Sequence, residues 1–205
     1  MYQIKKNRLF IEKNKKATTF DSIFYLCSSL EEVNIDNDFF SNTLTNGFNF
    51  NSTFYGCSKI KKINIPANIQ VKNMKNCFIN CFELETINIG NFDFEKILGN
   101  TGNCSLESTF SNCQKLANLT FGSNYGSGFP TSLIANNYYA KLDLHYSEDL
   151  TEQSLINVLN SLYDIATKGC KVQQVIIGPT NMAKLTSDEG QQALTNAQNN
   201  GWTVS

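Results

Sequence analysis

Phe24-Tyr25-Leu26-Cys27-Ser28-Ser29-Leu30-Glu31-Glu32-Val33-Asn34-Ile35 is a twelve-residue stretch that returns three more times along the chain. The second copy keeps Phe54, Cys57, Ile60 and Ile63-Asn64-Ile65, and the third keeps Phe78, Cys81, Leu84 and Ile87-Asn88-Ile89. The fourth reads Phe110, Cys113, Leu116 and Leu119-Thr120-Phe121. Agreement at five apolar or cysteine positions in one register is not a chance event, and self-similarity of this kind outranks any local reading of the chain. The cysteine-to-cysteine intervals are 30, 24 and 32 residues, so fixed blocks are separated by loops of varying length. Each block predicts a short helical or 3₁₀ turn carrying Phe and Cys on one side. A strand follows, in which Val33 and Ile35 point inward while Glu32 and Asn34 point out. One block cannot close a core. Stacked blocks align their apolar sites into columns, each large side chain contributing about 1.5 to 3 kcal/mol when fully buried.

Further on, Leu133-x-x-Asn136-x-x-Tyr139-x-x-Leu142-Asp143-Leu144 fits as a degenerate fifth copy. Val172-x-x-Val175-Ile176-Ile177 reads as the strand of a sixth, and Trp202-Thr203-Val204 as a last strand. A stack must cover its ends. At the front, Tyr2–Lys5 and Leu9–Glu12 flank a polar turn and predict a hairpin cap. Its Lys5, Lys6, Arg8, Lys13, Lys15 and Lys16 suit a solvated cap better than an anion-binding patch. At the rear, Thr151 is placed to N-cap a helix carrying Leu155, Ile156, Leu159, Leu162, Tyr163 and Ala166, with Gly169 past its end. Thr186 with Glu189 has capping-box spacing and opens a second helix to about Asn199, stopped by Gly201. Trp202 is expected to seal the last rung.

The pattern Phe-x-x-Cys-x-x-Leu-x-x-Ile/Val-x-Ile resembles the BspA-like (Treponema-type) leucine-rich repeat. Val71-Lys72-Asn73-Met74 before Cys77-Phe78, and Ser108-Thr109-Phe110, are similar to the variant in which Val-x-Asn-Met precedes the turn. The likeness covers roughly residues 20 to 145. The end, from Ser154-Leu155-Ile156-Asn157 through Lys184-Leu185-Thr186 to Gly201-Trp202-Thr203-Val204, resembles the closing unit of such proteins from gut bacteria and their phages. The usual proline after the strand stands only at Pro66, and the loops after Ile35 and Ile89 are longer than the family pattern. The fold expected is α/β: a leucine-rich-repeat solenoid with a parallel sheet on one face, short helical turns opposite and a helical C-terminal cap. It forms a single domain over 1–205, divided into an N-terminal cap (1–22), repeats (23–145) and C-terminal helix-strand capping units (146–205).

Composition narrows the chemistry. In 205 residues, 17 Lys and Arg balance 18 Asp and Glu, so the field that steers nucleic-acid binders is missing. The single histidine, His145, cannot supply the two imidazoles of common zinc or facial-triad iron sites, and it leaves one imidazole for any nucleophilic triad. Asparagine occurs 28 times beside 15 Phe and 8 Tyr, a bias that speaks of ancestry rather than mechanism. The start shows no secretory signal, and no window approaches the roughly 18 apolar residues of a membrane span.

Single features add little catalytic promise. Cys27, Cys57, Cys81 and Cys113 share one repeat position and read as a buried column of reduced thiols, although neighbouring rungs at about 4.8 Å lie within disulfide reach. Cys77, Cys104 and Cys170 fall outside that register. Cys104, in the Gly99–Asn103 loop, is the one expected to be exposed, as a reactive or a merely solvated thiol. Gly122-Ser123-Asn124-Tyr125-Gly126-Ser127-Gly128 lacks the Lys-Ser/Thr of a phosphate loop and reads as a flexible inter-rung loop. His145 with Asp143 is no catalytic pair by spacing alone. Glu31-Glu32 and Asp188-Glu189 suit solvated or helix-N-terminal positions.

What remains is the outward strand face, where the register puts Glu32 and Asn34, Lys62 and Asn64, Thr86 and Asn88, Asn118 and Thr120, then Lys141 and Asp143. These residues form either an Asn ladder that keeps the sheet soluble, with Glu32 facing Lys62, or a surface that binds a glycan or polar protein partner. The aromatic segments Asp38-Phe39-Phe40 and Phe48-Asn49-Phe50 are a second candidate, docked or buried under a neighbouring rung. The expectation is a non-catalytic binding and adhesion module with no cofactor or metal, no nucleic-acid partner and no membrane insertion, acting extracellularly at a bacterial surface or on a phage particle. The rival expectation is a structural virion subunit that binds other virion chains.

Overall fold

Alternation of apolar and polar residues, interrupted by turns, decides the local structure, and a computed structural model describes residues 2–5, 8–11, 19–35, 47–65, 68–95, 97, 106, 108–129, 139–168 and 172–205. In chain order the elements begin with β1 (Tyr2–Lys5), β2 (Arg8–Ile11), β3 (Glu32–Ile35), β4 (Phe48–Asn49), β5 (Lys62–Asn64) and β6 (Ile69–Asn73). β7 (Thr86–Asn88), β8 (Phe92–Asp93), β9 (Asn118–Thr120) and β10 (Tyr139–Asp143) follow, then α1 (Glu152–Ser161), β11 (Val172–Ile176), α2 (Gly178–Met182), α3 (Asp188–Asn199) and β12 (Thr203–Val204). The chain is α/β, with its strands mostly parallel and its helices confined, among the described residues, to the C-terminal part.

The largest sheet has the order β1-β2-β3-β5-β7-β9. Only the β1–β2 hairpin is antiparallel; from β2 onward every pair is parallel. Val33 stands opposite Ile63, Ile63 opposite Ile87, and Ile87 opposite Leu119, so the four copies stack without a slip. A slip of one residue would turn these side chains to the solvent, and their burial at 0 to 2% exposure is what fixes the register. Phe24, Phe54, Phe78 and Phe110 stack behind them with ring centroids 5.1, 5.5 and 5.5 Å apart, close to one strand spacing per rung.

A second parallel sheet, β4-β6-β8, runs in the same rung order. These strands lie within the segments between blocks, where the repeat pattern predicts loops. Their signal is a two-residue alternation, Phe48-x-Phe50, Ile69-x-Val71 and Phe92-x-Phe94, and all six of these side chains are buried. Phe48 and Phe50 are therefore core, which removes them as a docking site; Asp38-Phe39-Phe40 lies outside the described residues. Gly122–Gly128 is also packed rather than loose. Ser123 bridges Asp93, Tyr125 is fully buried, and a Cβ on Gly122 would sit 2.3 Å from the Phe92 carbonyl.

The Phe-x-x-Cys segment is not helical. Ser22, Ser52 and Asn76, two residues before the Phe, have φ of 56°, 51° and 59°. Leu26, Gly56, Asn80 and Asn112, just before the Cys, have φ of 58°, 71°, 61° and 61°. These left-handed residues flatten the turn into a strip whose N–H groups point alternately inward and along the stack. Ile23, Tyr25 and Cys27 donate to Phe20, Ser22 and Phe24 within the rung, while Ser22, Phe24 and Leu26 donate to Asn51, Thr53 and Tyr55 of the next. A continuing α-helix would instead direct its N–H groups along its own axis, to carbonyls four residues back. The strip instead carries the hydrogen bonding of the sheets around the outside of each rung.

The main sheet ends in β1 on one side and against α1 on the other. β2 lies beside β3, and Lys6, Asn7 and Lys13, Lys15 and Lys16 of the expected basic cap lie outside the described residues. At the other end the order departs from expectation, because β10 does not follow β9. Helix α1 lies along β9 instead: the Ser154 hydroxyl accepts from Leu119 N–H (3.1 Å) and donates to the Ala117 carbonyl (3.0 Å), and the Asn157 amide oxygen accepts from Phe121 N–H (2.7 Å). These side chains stand in for the missing strand. β10 pairs with β11 and β11 with β12, all parallel, in a separate sheet.

The fifth copy sits in another register than the sequence suggested. Ser147 N–H donates to Leu144 and Leu150 N–H to Ser147, as Cys113 does to Phe110 and Leu116 to Cys113. Thr151 N–H then donates to Ala117, as Ala117 does to Glu85. Leu144-x-x-Ser147-x-x-Leu150 is thus the fifth turn, with Leu in place of Phe and Ser in place of Cys, and a helix replaces the strand after it. Residues 130–138, used in the expected alignment, lie outside the described residues. Thr151 caps α1 as expected, accepting from Ser154 N–H (3.2 Å), but the helix ends at Ser161 and leaves Tyr163 and Ala166 exposed. Ser187 rather than Thr186 caps α3, and the Glu152 carboxylate accepts from Thr186 N–H, Ser187 N–H and the Ser187 hydroxyl, each at 2.8 Å. Trp202 is buried against Tyr125, and its indole N–H donates to the Tyr163 carbonyl (2.9 Å).

Candidate functional site

Strand alternation leaves one side of each rung's strand facing the solvent. Across β3, β5, β7 and β9 this side carries two aligned rows: Glu32, Lys62, Thr86 and Asn118, then Asn34, Asn64, Asn88 and Thr120. Lys62, Thr86, Asn88, Asn118 and Thr120 are exposed and Glu32, Asn34 and Asn64 half-buried. Eight of the ten residues singled out from sequence therefore share one face. Lys141 and Asp143 do not join it, because α1 occupies the position beside β9 and both lie on β10, opposite Gln174 and Ile176 of β11.

The face is only partly a hydrogen-bonded ladder. The Asn64 amide donates to the Asn34 amide oxygen, and Asn34 donates to the Glu32 carboxylate (3.0 Å). Asn88 breaks the row, because its oxygen accepts from Gly90 N–H (2.9 Å) in a turn that closes the strand. Glu32 stands opposite Lys62, and its carboxylate is oriented by Asn34. One half of the face is thus fixed by its own side chains, and the other half presents hydroxyl, amide and ammonium groups to the solvent.

The cysteine column holds for three of its four members. Cys57, Cys81 and Cys113 are fully buried, and each thiol donates to the carbonyl of the Phe one rung earlier: Phe24 (3.0 Å), Phe54 (3.2 Å) and Phe78 (3.1 Å). Burial pushes Cys57 and Cys113 up to about 12, and Cys77 and Cys81 well above the ordinary thiol value. All five described cysteines are free thiols. Cys27, on the first rung, is exposed, contrary to expectation, because no described rung precedes it. Cys77 belongs to a second register, the position held by Thr53 and Thr109, whose hydroxyls donate to the Phe20 (2.7 Å) and Met74 (3.0 Å) carbonyls. Cys104 and Cys170 lie outside the described residues.

Asp143 and His145 do meet: the carboxylate accepts from the His145 backbone N–H (3.1 Å) and lies 2.5 Å from Nδ1. Such a pair orients an imidazole, yet a nucleophile is also needed. The hydroxyl two residues on, Ser147 Oγ, is buried with no hydrogen-bond partner, so it is not engaged by this histidine. A cavity of about 310 Å³ lies elsewhere, where the chain passes from the main sheet into β6 and β8, lined by Asn68, Gln70, Gly90, Asn91, Asp93 and Ser123. No reading of the sequence pointed to it, since its walls come from three different rungs. Among the described residues no group of three His, Cys, Asp or Glu side chains is placed to hold a metal ion, and no helix is long and apolar enough to cross a membrane.

On the surface, Lys115 and Glu83 pair at 2.7 Å, which lowers the Glu83 carboxyl and raises the Lys115 ammonium through their mutual hydrogen bond. Both follow the cysteine of their turn by two residues and precede the next strand, β7 or β9. Comparison of the chain with known protein families, with curated proteins and with solved structures returned no match.

Proposed function

We propose that this chain is a non-catalytic recognition module, a BspA-like leucine-rich-repeat solenoid that binds a protein surface or a surface glycan through the outward face of β3, β5, β7 and β9. Adhesion at a bacterial surface or on a phage particle is the setting this reading implies. The observation that supports it best is the strand face itself: eight polar side chains in two aligned rows, on strands whose alternate residues are locked into the core. Rigid backing lets such a surface bind with little ordering cost. Its amide, hydroxyl and mixed-sign groups suit hydroxyl-rich or polar ligands, and its near-neutral balance gives no advantage to a polyanion.

The test is an unbiased pull-down and glycan-array screen with the purified chain, beside the variant carrying Lys62→Ala, Thr86→Ala and Asn118→Ala. These three side chains are exposed, which keeps the fold out of the comparison. Retention of a specific ligand by the native chain, lost in a variant with unchanged circular dichroism and melting temperature, is the expected result. Equal retention by both proteins would move the site off this face.

A further inference from the structure

Three backbone carbonyls on the outer rim of the first rung have no N–H donor among the described residues. In the second rung the Asn51, Thr53 and Tyr55 carbonyls accept from Ser22, Phe24 and Leu26 N–H at 2.9, 2.9 and 2.7 Å. In the third, Lys75, Cys77 and Ile79 accept from Ser52, Phe54 and Gly56 at 2.9, 2.9 and 2.8 Å. Their first-rung equivalents are Asp21, Ile23 and Tyr25, and among the described residues no N–H reaches these carbonyls. The Asp21 carboxylate cannot shield them, because it is turned toward the second rung, accepting from Asn49 and Asn51 (both 3.1 Å).

The side chains of this strip are uncovered as well. Ile23 is 38% exposed, whereas Thr53, Cys77 and Thr109 are buried at the same position of later rungs. Tyr25 and Leu26 are 48% and 58% exposed, and the Cys27 thiol is open where Cys57, Cys81 and Cys113 each find a carbonyl one rung earlier. The main sheet continues past this rung into the β2–β1 hairpin, whereas on the turn side, among the described residues, the bonding pattern stops at this strip with its acceptors and apolar side chains in the open.

We propose that the Asp21–Cys27 strip docks an extended polypeptide segment of another protein, which adds to the stack as a further rung by donating alternate backbone N–H groups to Asp21, Ile23 and Tyr25 and packing apolar side chains on Ile23 and Leu26. Hydrogen-bond polarity selects this occupant. The backbone of this edge offers acceptors only, so the same edge of a second copy would bring carbonyl against carbonyl, and the N–H row of that copy is already engaged by its own second rung. The incoming segment also supplies a carbonyl to the Cys27 thiol, as Phe24 does to Cys57. This surface is distinct from the strand face and stands whether or not that face binds a ligand.

The test uses a fluorescent synthetic peptide of residues Thr19–Ser28, the segment that makes these N–H donations to the second rung, titrated by anisotropy against the full chain. Saturable binding is expected, at least tenfold weaker when the peptide is N-methylated at Ser22, Phe24 and Leu26. It is also expected to weaken at least tenfold with an Ile23→Asp chain whose circular dichroism is unchanged; should that variant unfold, Tyr25→Asp takes its place. A chloroacetyl group on the peptide is expected to alkylate Cys27 ahead of the other thiols. No saturable binding, equal binding of the N-methylated peptide, or alkylation elsewhere would overturn the proposal.

Discussion

Leu26 is held in the left-handed region at φ 58°, where the equivalent residues are Gly56, Asn80 and Asn112. An L side chain with a Cβ costs about 1 to 2 kcal/mol there, and Asn relieves part of it through local hydrogen bonding. Leu26→Asn is expected to stabilise the chain by about 0.5 to 1 kcal/mol in chemical denaturation. The thiols give a second expectation. With burial raising Cys57 and Cys113 from the ordinary thiol value of 9.0 to about 12, thiolate at pH 8 falls from about one part in ten to about one in ten thousand. Native alkylation at pH 8 followed by peptide mapping is expected to modify Cys27 and spare Cys57, Cys77, Cys81 and Cys113 until the chain unfolds. The sign for stability follows: the contribution of these raised groups is complete below the unfolded thiol value near 9, and it is lost as pH climbs from there toward 12. A melting temperature that held steady from pH 8 to pH 11 would contradict it.

At the scale of elements, the strand edge closed by α1 is the sharpest test. Asn157→Ala leaves the Phe121 N–H buried without its acceptor, which costs about 1 to 3 kcal/mol. Asn157→Asp keeps an acceptor and is expected to lose less, so the ordering of the two melting temperatures checks the capping role. The main strands and their register were legible in the sequence because Val33, Ile63, Ile87 and Leu119 alternate with polar residues and recur in one frame. The turn was not, because Phe and Cys three apart fit a helix and a double β-turn equally well. The distinguishing mark was the Ser and Asn at one position and Gly and Asn at another, partly hidden by Leu26. The fifth rung was misread for a similar reason: Ser147 fills the cysteine site and α1 the strand site, so neither half matched the pattern. The strand face was legible where β-strands formed it, and Lys141 and Asp143 dropped out where a helix intervened.

At the scale of the whole molecule, each repeat strand of the main sheet pairs only with its immediate neighbours, so the effect of a substitution depends on how many neighbours cover it. Phe78 lies in the middle of the ring column and is 1% exposed; Phe78→Ala is expected to cost about 3 to 5 kcal/mol. Ile23, on the open first rung, is expected to cost under about 1 kcal/mol as Ile23→Ala, and urea denaturation of the two variants separates the cases. Unequal loop lengths carry a last consequence. Thirty, twenty-four and thirty-two residues between successive cysteines all deliver the next block to the same height above its predecessor. Chain gained or lost at the rim leaves the interior unaware of the change. Lineages descended from such a protein could diverge in outline until their borders shared almost no residue, and still superpose plank upon plank.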